Sequence, residues 1–427
     1  MSHLLHVHTR FESVGHGCFV RGWVGASDES KRFHWIYDCG SKRPSILRGL
    51  IEAAYPAKRG EIDLLCLSHF DADHINGLDL LLEHAKVKRL VLPYVGLSER
   101  LRLACSLSEE ESSSAAEQAA LTASPLTYFA RRHEGRIDHV TFVQGGSDDF
   151  GIADSYFKSQ AELVDEDESS KIDRDPLPAS ARDLDEDAEG YGDSNQLETA
   201  TVSLVSHSHP WSLNLGFEFK FYNSALPAGL TPQSGKPVSD IRKEVEGVLD
   251  NYEMWGPGIA KRGWEKALRS VYDFHFGGGS HRRNAVSLCL FAAPSVRRPC
   301  AISIRRATAN NIKVERLEVS TGSADACKDA VLLTGDIALT LKELDTLFAH
   351  LGTRRSVRVH AMQIPHHGSR HSWQAGNSVH CGHRYSVLCS PEPGHNPKHP
   401  HEDVLNDLPE WVVASYDRCV DFGFEQV

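Results

Sequence analysis

The 427-residue sequence predicts an α/β fold, an αββα sandwich in which helices cover the outer faces of the β-sheet layers. Apolar runs with the length of buried strands alternate with segments whose apolar residues repeat at helical spacing. That alternation is typical of sheets enclosed by helices. The strand-like run 63–67 also ends in four side chains that bind metals well: His69, Asp71, Asp73 and His74. The sandwich and a candidate metal site are therefore predicted together.

The overall composition indicates a globular protein, with 41% hydrophobic and 24% charged residues. The chain is read as one large domain, residues 1–427. No apolar run approaches the roughly 18 residues of a membrane span, and residues 1–10 lack the charged and apolar regions of a signal peptide. Ten cysteines are scattered without a C-x-x-C pair. We expect a cytoplasmic protein with reduced thiols and no membrane partner.

The net charge of −12 is concentrated in one segment. Residues 148–198 contain 17 acidic and four basic residues, whereas the rest of the chain has 41 acidic and 42 basic ones. Low hydrophobicity with like charge cannot offset the entropy lost on folding, so the acidic segment 147–198 is predicted to be disordered within an insertion spanning 106–200. An alternative is that it imitates nucleic acid, as an autoinhibitor or as a dock for a basic partner. Because the body is nearly neutral, a nucleic-acid substrate is not excluded.

The first 40 residues predict the opening strands. Residues 4–24 have the pattern of strand, turn and strand with Gly15 and Gly17 at the turn, and residues 33–37 form the next strand. The histidines of this region are expected on the surface rather than as metal ligands: His3, His6, His8 and His16.

Helices and strands then alternate along the chain. Residues 45–55 predict a helix, 63–68 the strand before the polar cluster, 75–85 a helix and 87–92 a strand. Two further insertions are predicted: residues 223–280, helical and suited to a lid or a partner surface, and the smaller segment 294–329.

The spacing of the polar cluster suits metal binding. Side chains two residues apart in an extended chain point the same way, so His69 and Asp71 can converge on one ion. Asp73 and His74 then face a second ion from the turn into the helix.

This pattern, His-x-Asp-x-Asp-His before Asn-Gly-Leu, resembles the signature of the metallo-β-lactamase fold in the variant whose second histidine is aspartate. That variant resembles the nuclease-like domain of the competence protein ComEC and its soluble relatives. Three further matches follow in the family's order: an apolar strand ending in Gly335-Asp336, a strand entering His366-His367-Gly368-Ser369, and His399-Pro400-His401.

The resemblance implies a ligand set and a cofactor. Asp336 would bridge two divalent ions, zinc or manganese. The first ion would be held by His69 and Asp71 and the second by Asp73 and His74. The shells would be completed by His399 and by one of the pair His366 and His367. The family's usual third-motif histidine has no plain counterpart, and Asn284 lies near its place in order.

The implied chemistry is hydrolysis by water activated between two ions, with no serine or cysteine nucleophile. Asp73, His366 and His367 are the candidate catalytic residues, and whichever of the two histidines is not a ligand is a candidate acid for the leaving oxygen. Candidates for holding substrate phosphate are Asn284, Arg283 and Ser369, with the arginines Arg282, Arg305 and Arg306 as further backbone contacts.

Three functions remain open at this point. The first is a phosphodiesterase or nuclease acting on DNA, because the motifs resemble the DNA-processing branch. The second is a hydrolase of a small ester, lactam or cyclic nucleotide, because one fold hosts several chemistries. The third is a subunit of a larger assembly, such as an anti-phage defence complex, with the insertions as its interface.

Overall fold

The computed structural model describes residues 5–26, 32–56, 58–107, 115–145, 200–224, 232–255, 260–277, 286–308, 314–322, 327–394 and 399–426. The acidic segment 147–198 lies outside the described residues, so its predicted disorder stays a prediction.

The strands within the described residues are numbered in chain order. They are β1 (Leu5–Phe11), β2 (Val20–Ala26), β3 (Arg32–Tyr37), β4 (Gly60–Cys66), β5 (Ala85–Pro93), β6 (Ile137–Gln144), β7 (Thr201–Ser206), β8 (Trp211–Leu213), β9 (Phe217–Asn223), β10 (Leu288–Pro294), β11 (Cys300–Thr308), β12 (Val314–Gly322), β13 (Ala330–Leu333), β14 (Val359–Gln363), β15 (Tyr385–Cys389), β16 (Trp411–Ala414) and β17 (Arg418–Gln426).

The helices of the same residues are numbered likewise. They are α1 (Pro44–Ala54), α2 (Ala72–Ile75), α3 (Leu78–His84), α4 (Leu97–Ser106), α5 (Ala115–Ala123), α6 (Pro125–Arg132), α7 (Val238–Asn251), α8 (Trp264–Phe276), α9 (Leu341–Leu351), α10 (Thr353–Ser356), α11 (Asn377–Cys381) and α12 (Glu402–Asp407).

The described strands form two sheets. The larger sheet has the order β12-β11-β17-β1-β2-β3-β4-β5-β6-β7, and the smaller has the order β16-β15-β14-β13-β10-β9-β8. Pairing is parallel from β3 to β7 and antiparallel across the other half of the larger sheet. In the smaller sheet, β13 to β16 are parallel. Parallel strands connected through helices require both sheet faces to be covered.

Three apolar cores give the layer order directly. One lies between the sheets and takes in Leu64 and Cys66 of β4, while their neighbours Leu65 and Leu67 face a second core beneath α1, α3 and α4. A third core packs α9, α11 and α12 on the outer face of the smaller sheet. Strands buried on both faces with helices outside are the αββα sandwich, and the predicted fold class is confirmed.

The segments predicted to be insertions add to these layers. Strand β6, within 106–200, pairs with β5 and β7 inside the larger sheet. Helices α7 and α8, within 223–280, pack into the same core as α4. Strand β11, within 294–329, pairs with β17 and carries β12 as the edge strand.

The prediction that all cysteines are reduced is wrong for one pair. Cys300 and Cys327 form a disulfide with their Cα atoms 6.6 Å apart. Cys300 begins β11 in the larger sheet, and Cys327 precedes β13 in the smaller one. The bond therefore joins the two layers, a proximity that the separation of 27 residues in sequence does not reveal. None of the described helices is long and apolar enough to cross a lipid bilayer.

Candidate metal centre

His69, Asp71, Asp73 and His74 lie between the end of β4 and the end of α2, and neighbouring loops contact this turn. The backbone N–H of Cys39 donates to the carbonyl of His74 over 2.7 Å, and that of Cys18 donates to the carbonyl of Asp73 over 3.0 Å. Gly40 lies so close that a Cβ there would overlap the backbone between Asp73 and His74. The two ligand-type side chains are thus fixed by contacts from loops that precede them in sequence.

Three buried side chains, His69, His74 and Asp336, form what we call the inner cluster. His74 Nε2 lies 3.1 Å from Asp336 Oδ1, and His69 Nε2 lies 3.7 Å from Asp336 Oδ2. Asp71 adjoins it, with Oδ2 3.7 Å from His69 Nε2.

Proton positions in the inner cluster follow from Asp38 and Ser68. The Asp38 carboxylate accepts hydrogen bonds from Ser68 N, from Ser68 Oγ and from His74 Nδ1, at 2.7, 2.7 and 2.8 Å. Because the Ser68 hydroxyl proton points to Asp38, His69 Nδ1 must donate to Ser68 Oγ, 2.8 Å away. Both rings therefore turn Nε2 toward Asp336, as in a carboxylate–histidine–metal arrangement.

Asp336 is delivered by the end of β13. Ser287 Oγ accepts its backbone N–H at 3.2 Å, and Gly335, with φ of 57°, lets the chain turn. A Cβ at Gly335 would overlap the side chains of Ser287 and Ser68, so the glycine permits close packing behind the ligands.

A second group, His16, Asp73 and His367, forms what we call the outer cluster. Asp73 Oδ2 lies 3.2 Å from His367 Nε2 and 3.4 Å from His16 Nε2. The ammonium of Lys42 is 2.7 Å from His16 Nε2 and 3.9 Å from Asp73 Oδ2. The expectation that His16 lies on the surface is wrong, since only 5% of it is exposed.

The histidine pair after β14 sits in a single turn, Pro365–Gly368, in which both residues have positive φ. His367 donates from Nδ1 to the carbonyl of Cys389 over 2.7 Å, which directs Nε2 to Asp73. His366 turns the other way, with Nδ1 3.1 Å from Ser372 Oγ and Nε2 3.8 Å from Asp336 Oδ2. His399 stacks beside His366 with ring centroids 5.4 Å apart.

The donor set fits divalent ions. Tetrahedral zinc, with ligands at about 2.0–2.1 Å, has neighbouring ligand atoms about 3.3 Å apart, close to the separations in both clusters. Several of these atoms are buried and have no hydrogen-bond partner among the described residues: His69 Nε2, His74 Nε2, His367 Nε2 and Asp336 Oδ1. Buried polar atoms are normally satisfied, so a site at which they converge fits a bound cation. A third grouping, Cys18 with Asp38 and His74, is not such a site because the Asp38 oxygens already accept three hydrogen bonds.

The pKa shifts of these residues agree with the assignment of the two clusters as cation sites. Burial opposes ionisation of Asp73 and Asp336, but the neighbouring histidines, His367 and His74 foremost, hold the pKa of both carboxyls below the usual range. Burial would lower the pKa of His74, yet Asp336 and Asp38 raise it well above the ordinary value. Burial and the charge of His367 lower the pKa of His16 to about 2 and that of His399 to about 4, so both are neutral bases at pH 7.

The grouping of side chains differs from the division predicted from the motif. Asp73 and His74 were assigned to one ion, but the turn of α2 directs His74 to the inner cluster and Asp73 to the outer one. Adjacent residues at a helix start point about 100° apart, which the extended-chain argument did not take into account. Asp38 and Lys42 were not in the predicted site. In the structure Asp38 contacts His74, and Lys42 contacts His16.

Of the predicted phosphate contacts, the structure describes Arg305, Arg306 and Ser369. Arg283 and Asn284, with Arg282, lie outside the described residues. Arg305 and Arg306 stand on β11, separated from β4 by four strands, or about 24 Å at the usual strand spacing. The Ser369 hydroxyl accepts the backbone N–H of His371 over 3.3 Å and so supports the histidine turn.

The αββα layers and the histidine–carboxylate centre define a class of candidate metalloproteins. No protein-family model and no curated protein matches the sequence. The chain is similar to the crystal structure of the metallo-β-lactamase fold protein YhfI from Bacillus subtilis, at 9% identity and a TM-score of 0.35 over 97% of this chain and 98% of that one. A likeness at that level assigns no residue and no activity to this chain.

Proposed function

We propose that this protein is a metal-dependent hydrolase that uses water activated by two divalent ions, zinc or manganese, and that its substrate is a phosphodiester, foremost DNA. The observation that carries the proposal is the convergence of three buried imidazole nitrogens, which have no hydrogen-bond partner among the described residues, on the carboxylates of Asp336 and Asp73. These residues come from three separate chain segments: His69 to His74, Asp336, and His367.

The roles follow from the hydrogen bonds. His69, His74 and Asp336 would hold one ion, with Asp71 beside them, and Asp73 and His367 would hold the other. Two bound divalent ions lower the pKa of water toward neutrality and stabilise negative charge on the oxygens of the substrate. Asp38 and Ser68 keep the imidazole lone pairs aimed at the ions.

His366 is the candidate for proton transfer to the leaving oxygen. It is the more exposed histidine of the pair, at 29% against 2% for the side chain of His367. Burial lowers the pKa of His366, so its ring is neutral at pH 7 and must take up a proton before passing one on. His399, stacked against it and neutral, would complete the ligand set.

The choice of DNA rests on the likeness of the four motifs to the DNA-processing branch. A specific feature favours the second candidate, a hydrolase of a small ester, lactam or cyclic nucleotide. A cavity opens beside His69 and Asp71 and is otherwise lined by Phe70, Pro93, Val95, Leu103, Leu107, Thr122 and Val286. Its mostly apolar wall suits an acyl group or a nucleobase better than a run of phosphates.

The test combines metal content with a substrate panel. Protein purified without chelator should contain close to two divalent ions by elemental analysis. With manganese or zinc it should cleave single- or double-stranded DNA, and Asp73→Asn should abolish cleavage while DNA binding largely survives. The control is Asp345→Asn, an exposed carboxylate on α9. No bound metal, and none taken up on titration, would contradict the proposal.

The same panel separates the candidates. It should include RNA, a cyclic dinucleotide, a lactone and a β-lactam under identical metals. Turnover of the lactone or β-lactam without any phosphodiester cleavage favours the second candidate. Two bound metals with no turnover of any substrate point to a required protein partner, the role of an assembly subunit.

A further inference from the structure

The loop that carries His16 is built against the metal centre. The carbonyl of His16 accepts the backbone N–H of Lys42 over 2.8 Å, and the next loop residue, Gly17, has a φ of 150°. A Cβ at Gly17 would overlap Gly40 and Ser41 and crowd the carbonyl of Asp73. The ring of His16 is therefore held beside Asp73 by backbone contacts on both sides.

The position of the ring is that of a ligand. His16 Nε2 is 3.4 Å from Asp73 Oδ2, and its ring centroid is 4.3 Å from that of His367. The spacing matches the roughly 3.3 Å expected between neighbouring zinc ligands. A hydrogen bond from the Lys42 ammonium to Nε2 requires an unprotonated nitrogen there, the form in which imidazole binds metals.

The position of the Lys42 ammonium shows that the outer cluster attracts positive charge. Its ammonium contacts both His16 Nε2 and, at 3.9 Å, Asp73 Oδ2, although 57% of the side chain is exposed to solvent. A lysine with that exposure can extend into water at little cost. Here it reaches inward to the same lone pairs that a divalent ion would use.

We propose that His16 is a ligand of the ion held by Asp73 and His367, and that the Lys42 ammonium competes with that ion for the same lone pairs. Metal binding then requires Lys42 to release His16 and turn outward. The inference deepens the proposed function, on which it rests, by assigning to the outer ion a ligand that the sequence motifs do not contain.

Metal titration of His16→Gln tests the ligand role without an activity assay. Metal-free protein is titrated with Zn²⁺ by calorimetry, and with Co²⁺ by following the visible absorption that reports its coordination. We expect one of the two affinities to fall about 100-fold or more, since even groups that only support a ligand change affinity 10–100-fold. The cobalt band of that ion should change as well. His380→Gln, an exposed histidine on α11, is the matched control and should leave both affinities unchanged.

Lys42→Met tests the same inference with a substitution at an exposed side chain, which should not disturb folding. Removal of the competing charge should raise the affinity of the outer ion about tenfold, the scale of a charge interaction at this distance in a partly exposed site. Lys86→Met is the control, because Lys86 is similarly exposed, at 47%, and is paired with Asp138 on the surface.

The outcomes are distinguishable. Two ions bound by the wild type with unchanged affinities in His16→Gln would overturn the inference and leave the proposed function standing. An unchanged or lower affinity in Lys42→Met would overturn the competitor role. A wild type that binds no divalent ion would contradict the proposed function itself. A fall for His16→Gln together with a rise for Lys42→Met supports the inference in full.

Discussion

The inner and outer clusters lie side by side but are built differently. In the inner cluster every member is at most 7% exposed, and Asp38 and Ser68 fix its rings. In the outer cluster Asp73 is 14% exposed and a solvent-reaching lysine contacts two of the three members. Among the described residues, no lysine or arginine is paired with the inner cluster, whereas Lys42 contacts the outer one. We therefore expect the inner ion to be bound more tightly and the outer ion to exchange more easily.

The largest effect is expected from Asp336→Asn. Both Asp336 oxygens face imidazoles of the inner cluster, and Oδ2 also faces His366. Loss of its charge should remove the inner ion, weaken the outer one and reduce kcat/KM by several orders of magnitude, because activated water is lost. Elemental analysis and steady-state kinetics measure both. Retention of two tightly bound ions in this variant would show that Asp336 does not hold the inner ion, and would contradict the comparison of the two clusters.

Asp38→Asn should affect metal binding differently in the two clusters. The amide oxygen can still accept the Ser68 backbone N–H, but the NH₂ group would face His74 Nδ1 and Ser68 Oγ, favouring the wrong tautomer. We expect the affinity of the inner ion to fall about 10–100-fold, as for other partners of metal-binding histidines. The outer ion should be unaffected.

Calorimetry on metal-free protein measures the effect of Asp38→Asn, with Asp63→Asn as control. Asp63 also accepts a backbone N–H, from His34 at 2.8 Å, but it lies in the middle of β4 and is paired with Lys88. An equal loss at both ions would show that Asp38 acts through the fold as a whole.

Gly40→Ala should disturb both clusters together. The added methyl group would overlap the backbone between Asp73 and His74, and overpacking of this kind destabilises by about 1–3 kcal/mol. Gly49→Ala is the matched control, since nothing lies within 4 Å of a Cβ there and α1 should gain about 0.5–1 kcal/mol. Denaturant titration measures stability, and metal titration should show a loss at both ions. A tolerated Gly40→Ala would mean that the turn is not held by this contact.

The features that follow from local periodicity could be predicted from the sequence. The continuous apolar run at β4 predicts a strand buried on both faces, and Leu64 and Leu65 do face different cores. The ligand-type residues after β13 and β14 were predicted because their motifs resemble a known signature, and those after β4 from their spacing as well. The αββα class follows from these local signals.

Features that depend on contacts between distant segments could not be predicted. His16 was assigned to the surface because most histidines are there, whereas its burial depends on Gly17 packing against Gly40. Gly15 and Gly17, which flank His16, were the signal in the sequence that this loop is tightly packed. Asp38 was not assigned to the site, since its partner Ser68 is 30 residues away in sequence. The Cys300–Cys327 bond depends on how the two sheets stack.

The smallest predicted effect is a difference in pH dependence between the two ions. Because Asp336 and Asp38 raise the pKa of His74, its ring in the metal-free protein carries a second proton, on Nε2, at pH 7. The ring must lose it to bind a metal through Nε2, so inner binding should release about one proton. The inner affinity should therefore rise by up to about tenfold per pH unit as pH increases, and level off above the pKa of His74. His16, with its pKa lowered to about 2, has no proton to release in this range.

Calorimetry of metal binding in buffers of different ionisation enthalpy counts the released protons for each ion. Asp38→Asn, which removes one of the charges that raise the pKa of His74, should reduce the count at the inner ion. Equal proton release at both ions, or none at the inner one, would mean that the clusters do not differ in the way their charges indicate. Greater release at the inner ion would instead show that binding there displaces a proton, as the raised pKa of His74 predicts.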